Sequence, residues 1–133
     1  MFYRERQNDE IVNLNYFEEV IPRYNDNQFH PHFRMHRGTY MELENIMRSL
    51  IRQRENDISL SKKLFLTLWI IATLESFRSV ADRFGLSKGV AWIIFKEVVY
   101  ALKRIMSRFI RWPNNAECEK SERIHYFVFS SLQ

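Results

Sequence analysis

Cysteine, glycine and proline are scarce in this sequence, which holds one, three and three of them among 133 residues. A single cysteine excludes a disulfide within the chain and is typical of a reducing compartment. So few glycines and prolines supply too little turn chemistry for an all-β fold. With 46% hydrophobic residues, there is still enough apolar material for one core. The composition therefore predicts a single helical domain.

A long hydrophobic run is also missing. The first ten residues, MFYRERQNDE, are polar and charged, so no secretory signal is visible. The most apolar stretch, Leu64 to Leu74, has eleven residues, whereas a helix that crosses a bilayer needs about 20. We therefore interpret this stretch as a buried helix and predict no membrane partner.

Catalytic motifs are absent as well. The four Asp and twelve Glu residues include no pair in a setting that suits metal-assisted phosphoryl chemistry. No phosphate-binding loop, nucleophile elbow or Cys/His pair occurs. Cys118 lies between Glu117 and Glu119, and their negative charge disfavours a thiolate. We predict no catalytic residue, no bound metal and no cofactor.

Three histidines, His30, His32 and His36, raise the question of a metal site. Their spacing is H-x-H-x-x-x-H, and we expect Pro31 to keep the first pair extended. No fourth ligand is obvious from the sequence. We therefore interpret them as surface histidines.

What the sequence does contain is helical periodicity, clearest in FRSVADRFGLSKGVAWIIF, from Phe77 to Phe95. One face of the first helix is apolar and consists of Val80, Ala81 and Phe84. Gly85 follows at the position where a helix ends in a left-handed residue. Ser87 then stands at the N-cap position of the next helix. This layout predicts a helix-turn-helix.

The second helix of this pair is predicted to be long, from Lys88 to Arg111, ending before Pro113. Its apolar stripe comprises Ala91, Ile94, Val98, Leu102, Ile105 and Phe109. Upstream, an amphipathic helix is predicted from Arg37 to Gln53. Ser59 is predicted to cap a helix from Leu60 to Leu74 that is apolar all round, so Trp69 should lie in the core.

The ends of the chain are less regular. Residues 9–21 can form a short helix before Pro22, and residues 23–28 are predicted to be a polar linker. Asn114 or Asn115 can cap a last short helix that starts at Ala116. We accordingly divide the chain into an N-terminal segment (1–28), a helix-turn-helix domain (29–112) and a C-terminal short helix with its tail (113–133).

Positive charge is concentrated on the helix-turn-helix. The whole chain has a net charge of +4, whereas residues 77–112 hold eight basic and two acidic residues, a net charge of +6. A surface that faces phosphates requires such a concentration. A solvated basic helix face is the plainer interpretation of the same pattern.

Three segments together resemble the N-terminal region of Harbinger (PIF-type) transposases and of nucleases domesticated from them. They are FRMHRGTYMELENIM, LSKKLFLTLWIIATLESFRSVADRFGLSKGVAWIIFKEVVYAL and FIRWPNN, and the resemblance covers Phe33 to Asn115. In that family a DDE-type catalytic domain follows, which holds divalent metal ions and begins with an Asp in a Gly-x-Ile-Asp-Gly-Thr-like strand. No such strand is present in this sequence. The resemblance therefore implies a transposase-derived chain that is truncated before the nuclease domain and has no enzymatic activity by itself.

Duplex DNA is the partner that we predict, and the nucleus, with the cytoplasm as an alternative, is the expected location. The residues predicted to face DNA are Arg78, Arg83, Ser87, Lys88, Lys96 and Lys103. The three lysines should contact phosphates, and the two arginines should flank the DNA backbone from the first helix. Gly89, Trp92 and Ile93 face outward where base-reading residues are expected, and they are poor hydrogen-bonding partners for base edges.

A protein-interaction module is the alternative. Trp92 and Ile93 would form an exposed apolar patch, and such patches mark partner sites. Harbinger-like nucleases work with a Myb/SANT-like protein, so the resemblance implies a partner of that kind. The chain can also be the N-terminal part of a metal-dependent DDE nuclease, or a fragment with no function of its own.

Overall fold

Helices make up the regular structure of this protein in a computed structural model that describes residues 16–121. A π-helical turn, Tyr16–Val20, and a 3-10 turn, Ile21–Arg23, come first. The α-helices that follow are α1 (Asp26–Phe33), α2 (Arg37–Arg48), α3 (Leu60–Thr73), α4 (Phe77–Arg83) and α5 (Lys88–Phe109). The predicted all-α class, with a helix-turn-helix and a long second helix, is confirmed.

Two units make up the chain, residues 1–103 and residues 104–133, and the boundary falls within α5. In the second unit, residues 115–121 are helical. The Asn114 side-chain oxygen accepts from the Glu117 backbone N–H at 2.9 Å, and Glu117 accepts from the Asn114 N–H at 2.9 Å. This reciprocal cap is why the helix starts there. Two of the predicted helices are described only in part. Residues 9–15 of the first and the residues after Ser121 of the last lie outside the described residues.

Helix α1 corrects two predictions, the polar linker at residues 23–28 and the extended His30–Pro31–His32 segment. Asn25 and Gln28 form a capping box, with side-chain to backbone distances of 2.9 and 3.1 Å, and this starts a helix at Asp26. Pro31 lies inside the helix. Its missing hydrogen bond is offset because Phe29 and Phe33, one turn apart, are both fully buried.

Helix α2 ends at Arg48, earlier than the predicted Gln53. The chain turns at residues 49–50, yet Ile51 remains buried, so the apolar period continues past the end of the helix. Glu44 on α2 binds both Arg48, at 3.3 Å, and the hydroxyl of Ser61 on α3, at 2.9 Å. Glu44 therefore forms an ion pair within α2 and also connects α2 to α3.

Helix α3 is the core helix, as predicted, and it contacts α1, α2 and α4. Ser59 caps it by accepting from the Lys62 N–H at 3.3 Å. Its buried apolar residues are Leu60, Leu64, Phe65, Leu66, Leu68, Trp69 and Ile70. The last turn departs from the prediction, because Ile71 is exposed and Leu74 is a left-handed cap residue that is 87% exposed.

Candidate functional site

The turn between α4 and α5 closes with two hydrogen bonds around a left-handed residue, a conformation that favours glycine. The Leu86 N–H donates to the Ala81 carbonyl at 2.8 Å and the Gly85 N–H to the Asp82 carbonyl at 3.2 Å. Gly85 has φ of 65°, the left-handed region that a side chain disfavours. Ser87 then caps α5 by accepting from the Val90 N–H at 3.3 Å. The predicted order of helix, glycine turn and capped second helix is therefore present.

One face of α5 is buried as its spacing predicts. Its fully buried residues in the first unit are Ala91, Ile94, Val98 and Ala101. Leu102 is only partly buried. In the second unit the prediction for Phe109 is wrong, since this residue is 65% exposed at the point where the helix ends.

The opposite face of α5 carries a row of alternating basic and apolar residues, which we call the α5 stripe: Lys88, Trp92, Lys96, Val99 and Lys103. Steps of four, four, three and four residues place them along one side of the helix. Ile93 and Tyr100 lie beside the stripe, seven residues apart, and are 65% and 70% exposed. Val99 and Tyr100 were missed from the sequence, although Trp92/Val99 and Ile93/Tyr100 share the same seven-residue spacing.

Trp92 is held in place by an aromatic cluster. Its ring meets the edge of Phe77 on α4, with ring centroids 5.0 Å apart, and lies parallel to Phe95 at 6.2 Å. The Lys96 ammonium lies 5.8 Å from the centre of the Trp92 ring. Trp92 is nevertheless 48% exposed. The two helices therefore fix a half-exposed indole beside a cation.

Glu97, the acid on α5, is occupied by a lysine of the core helix. The Lys63 side chain is 4% exposed, and its ammonium lies 2.9 Å from both Glu97 and Asp57. Burial acts to lower the pKa of Lys63, but the hydrogen bonds and charges of the two carboxylates outweigh it and raise the pKa. The same hydrogen bond holds the pKa of Asp57 below its usual value. Among residues 16–121, Glu97 therefore forms its ion pair with Lys63 and not with a lysine of the α5 stripe.

Arg83 is not available as the structure places it, which corrects the prediction that it faces DNA. Its guanidinium lies over the rings of Tyr16 and Trp69, at 5.2 and 4.9 Å, and 3.8 Å from the carboxylate of Glu75. Arg78 is exposed. Within the part of the chain that the structure describes, Arg78, Lys88 and Lys103 have no hydrogen-bond or ion-pair partner.

A stack of side chains, absent from the sequence-based predictions, connects Arg83 to the N-terminal turns. His32 stacks on both Tyr24 and Trp69, with centroid distances of 4.8 and 5.2 Å, and the Arg83 guanidinium also lies over the Trp69 ring. Tyr16 and Tyr24 share a 2.7 Å hydrogen bond. Burial, and then this bond, raise the pKa of Tyr16. No local pattern signals the stack, because its members are far apart in sequence.

Metal-binding groups do not assemble in the described residues. His32 is taken by the stack, while the rings of His30 and His36, both exposed, have centroids 4.8 Å apart. Across residues 16–121, no three His, Cys, Asp or Glu side chains are placed to hold an ion. Cys118 is exposed.

None of the helices between residues 16 and 121 combines the length and the apolar character that crossing a bilayer requires.

Comparisons with known proteins identify the family of the chain but not its activity. The family model described as "Domain of unknown function (DUF8040)" matches residues 13–104, which is more than half of the chain. No curated protein and no solved structure matches it. The matched residues contain α1 to α4 and all but the end of α5, and thus the whole α5 stripe. The chain is a member of the DUF8040 family.

Proposed function

We propose that this domain binds duplex DNA through its helix-turn-helix. The observation that carries the proposal is the set of exposed cations on α4 and on α5 up to residue 103, namely Arg78, Lys88, Lys96 and Lys103. The acid of α5, Glu97, forms its ion pair with Lys63 and not with any of these cations. Lysines and arginines of this kind neutralise phosphates and release counterions, which drives binding without regard to base sequence.

The same surface favours contact with the DNA backbone over base reading. Gly89, Trp92 and Ile93 occupy the outward positions of the first turns of α5 and have no side-chain groups that suit bidentate bonds to base edges. Ser87, at the entry of α5, uses its hydroxyl to cap the helix. We expect affinity for duplexes of any sequence and little discrimination among them.

The test is a titration of labelled duplex with the protein at two salt concentrations. Affinity should fall steeply as salt rises, and Lys88→Ala with Lys96→Ala should lower the salt slope by about two charges. Arg23→Ala with Arg52→Ala is the matched control, because both residues are exposed and lie outside the helix-turn-helix. Absence of binding at low salt, or an equal loss in the control, would refute the proposal.

We also propose that the domain derives from a Harbinger-type transposase and acts in the nucleus. The support is the resemblance across Phe33 to Asn115 together with the helix-turn-helix layout. Since the sequence lacks a Gly-x-Ile-Asp-Gly-Thr-like strand, we expect this chain alone not to cut DNA in Mg²⁺ or Mn²⁺. Metal-dependent cleavage that is lost on mutating one of its own acids would contradict this.

A second candidate function is docking of a partner protein, of which the Myb/SANT-like proteins are the kind that the resemblance implies. It is favoured by one observation that DNA binding leaves unexplained. Ile93 and Tyr100 are 65% and 70% exposed on the same helix as the half-exposed Trp92. Several large exposed apolar side chains on one helix are typical of protein interfaces.

A further inference from the structure

Phosphate binding accounts for the lysines of α5 but not for the large apolar side chains between them. Trp92, Ile93, Val99 and Tyr100 are 37–70% exposed along a single helix. We propose that the α5 stripe, with Ile93 and Tyr100, is the docking site for an acidic amphipathic helical segment of a partner protein. This inference develops the second candidate function and does not depend on DNA binding.

The shape of the occupant follows from the alternation along the stripe. From Lys88 to Lys103 the helix extends about 22 Å, at 1.5 Å per residue. Apolar and basic side chains follow one another along this length. A helix of similar length laid alongside can seat apolar residues at positions i, i+4 and i+7 between the lysines. Strands and loops lack this spacing.

The anchor of the site is preorganised. Phe77 and Phe95 hold the Trp92 ring at 5.0 and 6.2 Å, so little side-chain entropy remains to be lost when a partner covers it. Aromatic residues fixed in this way are the usual centres of binding energy at protein interfaces. Tyr100, 70% exposed, adds a second aromatic surface two turns along the helix.

The charge of the occupant follows from the lysines. Lys88 and Lys103 have no partner among residues 16–121, and Lys96 contacts only the ring of Trp92 there. Glu97, which would otherwise offset them, is bound to Lys63 at 2.9 Å. An acidic segment complements this surface, whereas a basic one is repelled.

Two other occupants would not satisfy both the lysines and the apolar side chains of this surface. A second copy of this chain, packed through the same face, would bring the lysines of one stripe against those of the other, and like charges oppose such pairing. Nucleic acid would leave Ile93 and Val99 uncovered, because aliphatic side chains gain little from phosphates. Both remain outcomes that the experiment distinguishes.

The probe is a synthetic amphipathic peptide of about 18 residues, long enough to cover the stripe, with Leu at helical i, i+4, i+7 spacing and Glu flanking the Leu face. A contact along about 22 Å of one helix is small among specific protein interfaces. We therefore expect a Kd on the order of micromolar, measured by fluorescence anisotropy. A control peptide with every Glu replaced by Lys should not bind. A second control, with every Leu replaced by Ser, should bind at least tenfold more weakly.

Variants of the intact chain locate the site. Trp92→Ala and Tyr100→Ala should each weaken binding of the acidic peptide by tenfold or more. Met41→Ala, which truncates a 60% exposed side chain on α2, should not change it. Lys96→Glu should no longer bind the acidic peptide and should bind the basic control peptide more tightly than the unmodified chain does. Circular dichroism must first show each variant folded; Tyr100, which makes no ring contact within residues 16–121, provides the decisive variant if Trp92→Ala unfolds.

The outcomes separate this inference from the proposed DNA binding. Equal binding of the three peptides, or unchanged binding in folded Tyr100→Ala and Lys96→Glu, would overturn it. So would duplex binding without any peptide binding, which leaves the DNA proposal standing. A dimer seen by sedimentation and abolished by Tyr100→Ala would also overturn it in favour of a second copy. Peptide binding without DNA binding would support this inference and would count against the DNA proposal.

Discussion

Trp69 shows what a single residue contributes to this fold. Its ring is 4% exposed and contacts Tyr16, Phe33, His32 and Arg83. A large aromatic side chain in such a position removes apolar surface from water and makes many close contacts. The residue therefore connects α1, α3 and α4 at one point.

Truncation of this residue, Trp69→Ala, should lower the free energy of unfolding by about 3–5 kcal/mol, because a cavity replaces the ring. Denaturant midpoints measure the loss. Trp112→Ala is the matched control, since Trp112 is 90% exposed, and it should change stability by no more than about 0.5 kcal/mol. Equal midpoints for the two variants would contradict the assignment of Trp69 to the core.

Asp57 should make stability depend on acid pH. Its hydrogen bond to Lys63 holds its folded pKa below the ordinary value of 3.8. The stabilisation is therefore full above pH 3.8 and is lost as pH falls through the lower, folded pKa. For Lys63 the sign is opposite, because its pKa is raised above 10.5 and its stabilisation is lost only as pH rises through that raised value.

Urea unfolding between neutral and strongly acid pH tests this. Asp57→Asn should remove part of the loss of stability that the unmodified chain shows below pH 3.8. Asp82→Asn, at an exposed site without an ion pair among the described residues, should retain it. If Asp57→Asn loses as much stability below pH 3.8 as the unmodified chain does, the pair with Lys63 contributes nothing to that loss.

At the scale of the helix, the turn after α4 depends on a glycine whose role the sequence already indicates. Gly85→Ala should cost about 1–2 kcal/mol, because its φ of 65° brings a Cβ close to the following carbonyl. Gly89→Ala, four residues on, is the contrasting change. A Cβ at Gly89 meets no atom within 4 Å, so this variant should gain up to about 1 kcal/mol of helix propensity. Destabilisation of both variants alike, by thermal unfolding, would refute this account.

Helices with strong periodicity were predictable, and those that depend on distant contacts were not. The bounds of α3, the cap Ser59 and the turn at Gly85 follow from local patterns. Helix α1 was missed because Pro31 suggested an extended chain, although Asn25-x-x-Gln28 is a visible capping signal. The role of Arg83 was out of reach, since its partner Tyr16 is brought near only by the tertiary fold.

The distribution of charge is a property of the whole molecule that periodicity alone does not reveal. Composition correctly places net positive charge on residues 77–112. It does not show that Glu97 is bound to Lys63 or that Arg83 is covered, which leaves Arg78 and the three lysines of the α5 stripe as the exposed cations among the six residues predicted to face DNA. The sequence therefore predicts a cationic α5, but it does not show which of its charged residues remain exposed and unpaired.

If both proposals hold, DNA and the acidic peptide should exclude one another, because both require Lys88, Lys96 and Lys103. Adding the acidic peptide to a complex of the intact chain with labelled duplex should release the duplex in proportion to peptide occupancy. The Ser-for-Leu peptide should release it only at concentrations at least tenfold higher. Simultaneous binding of peptide and duplex would place them on different surfaces.

The three tryptophans differ widely in contact with solvent, with 4% of Trp69, 48% of Trp92 and 90% of Trp112 exposed. Their indole fluorescence should therefore respond to a dissolved quencher in that order. Unfolding of the core would expose Trp69 to the quencher, and a segment bound to α5 would shield Trp92. Trp112 would stay accessible to the quencher in every state. The unlabelled chain thus has separate optical reporters for unfolding and for occupation of α5.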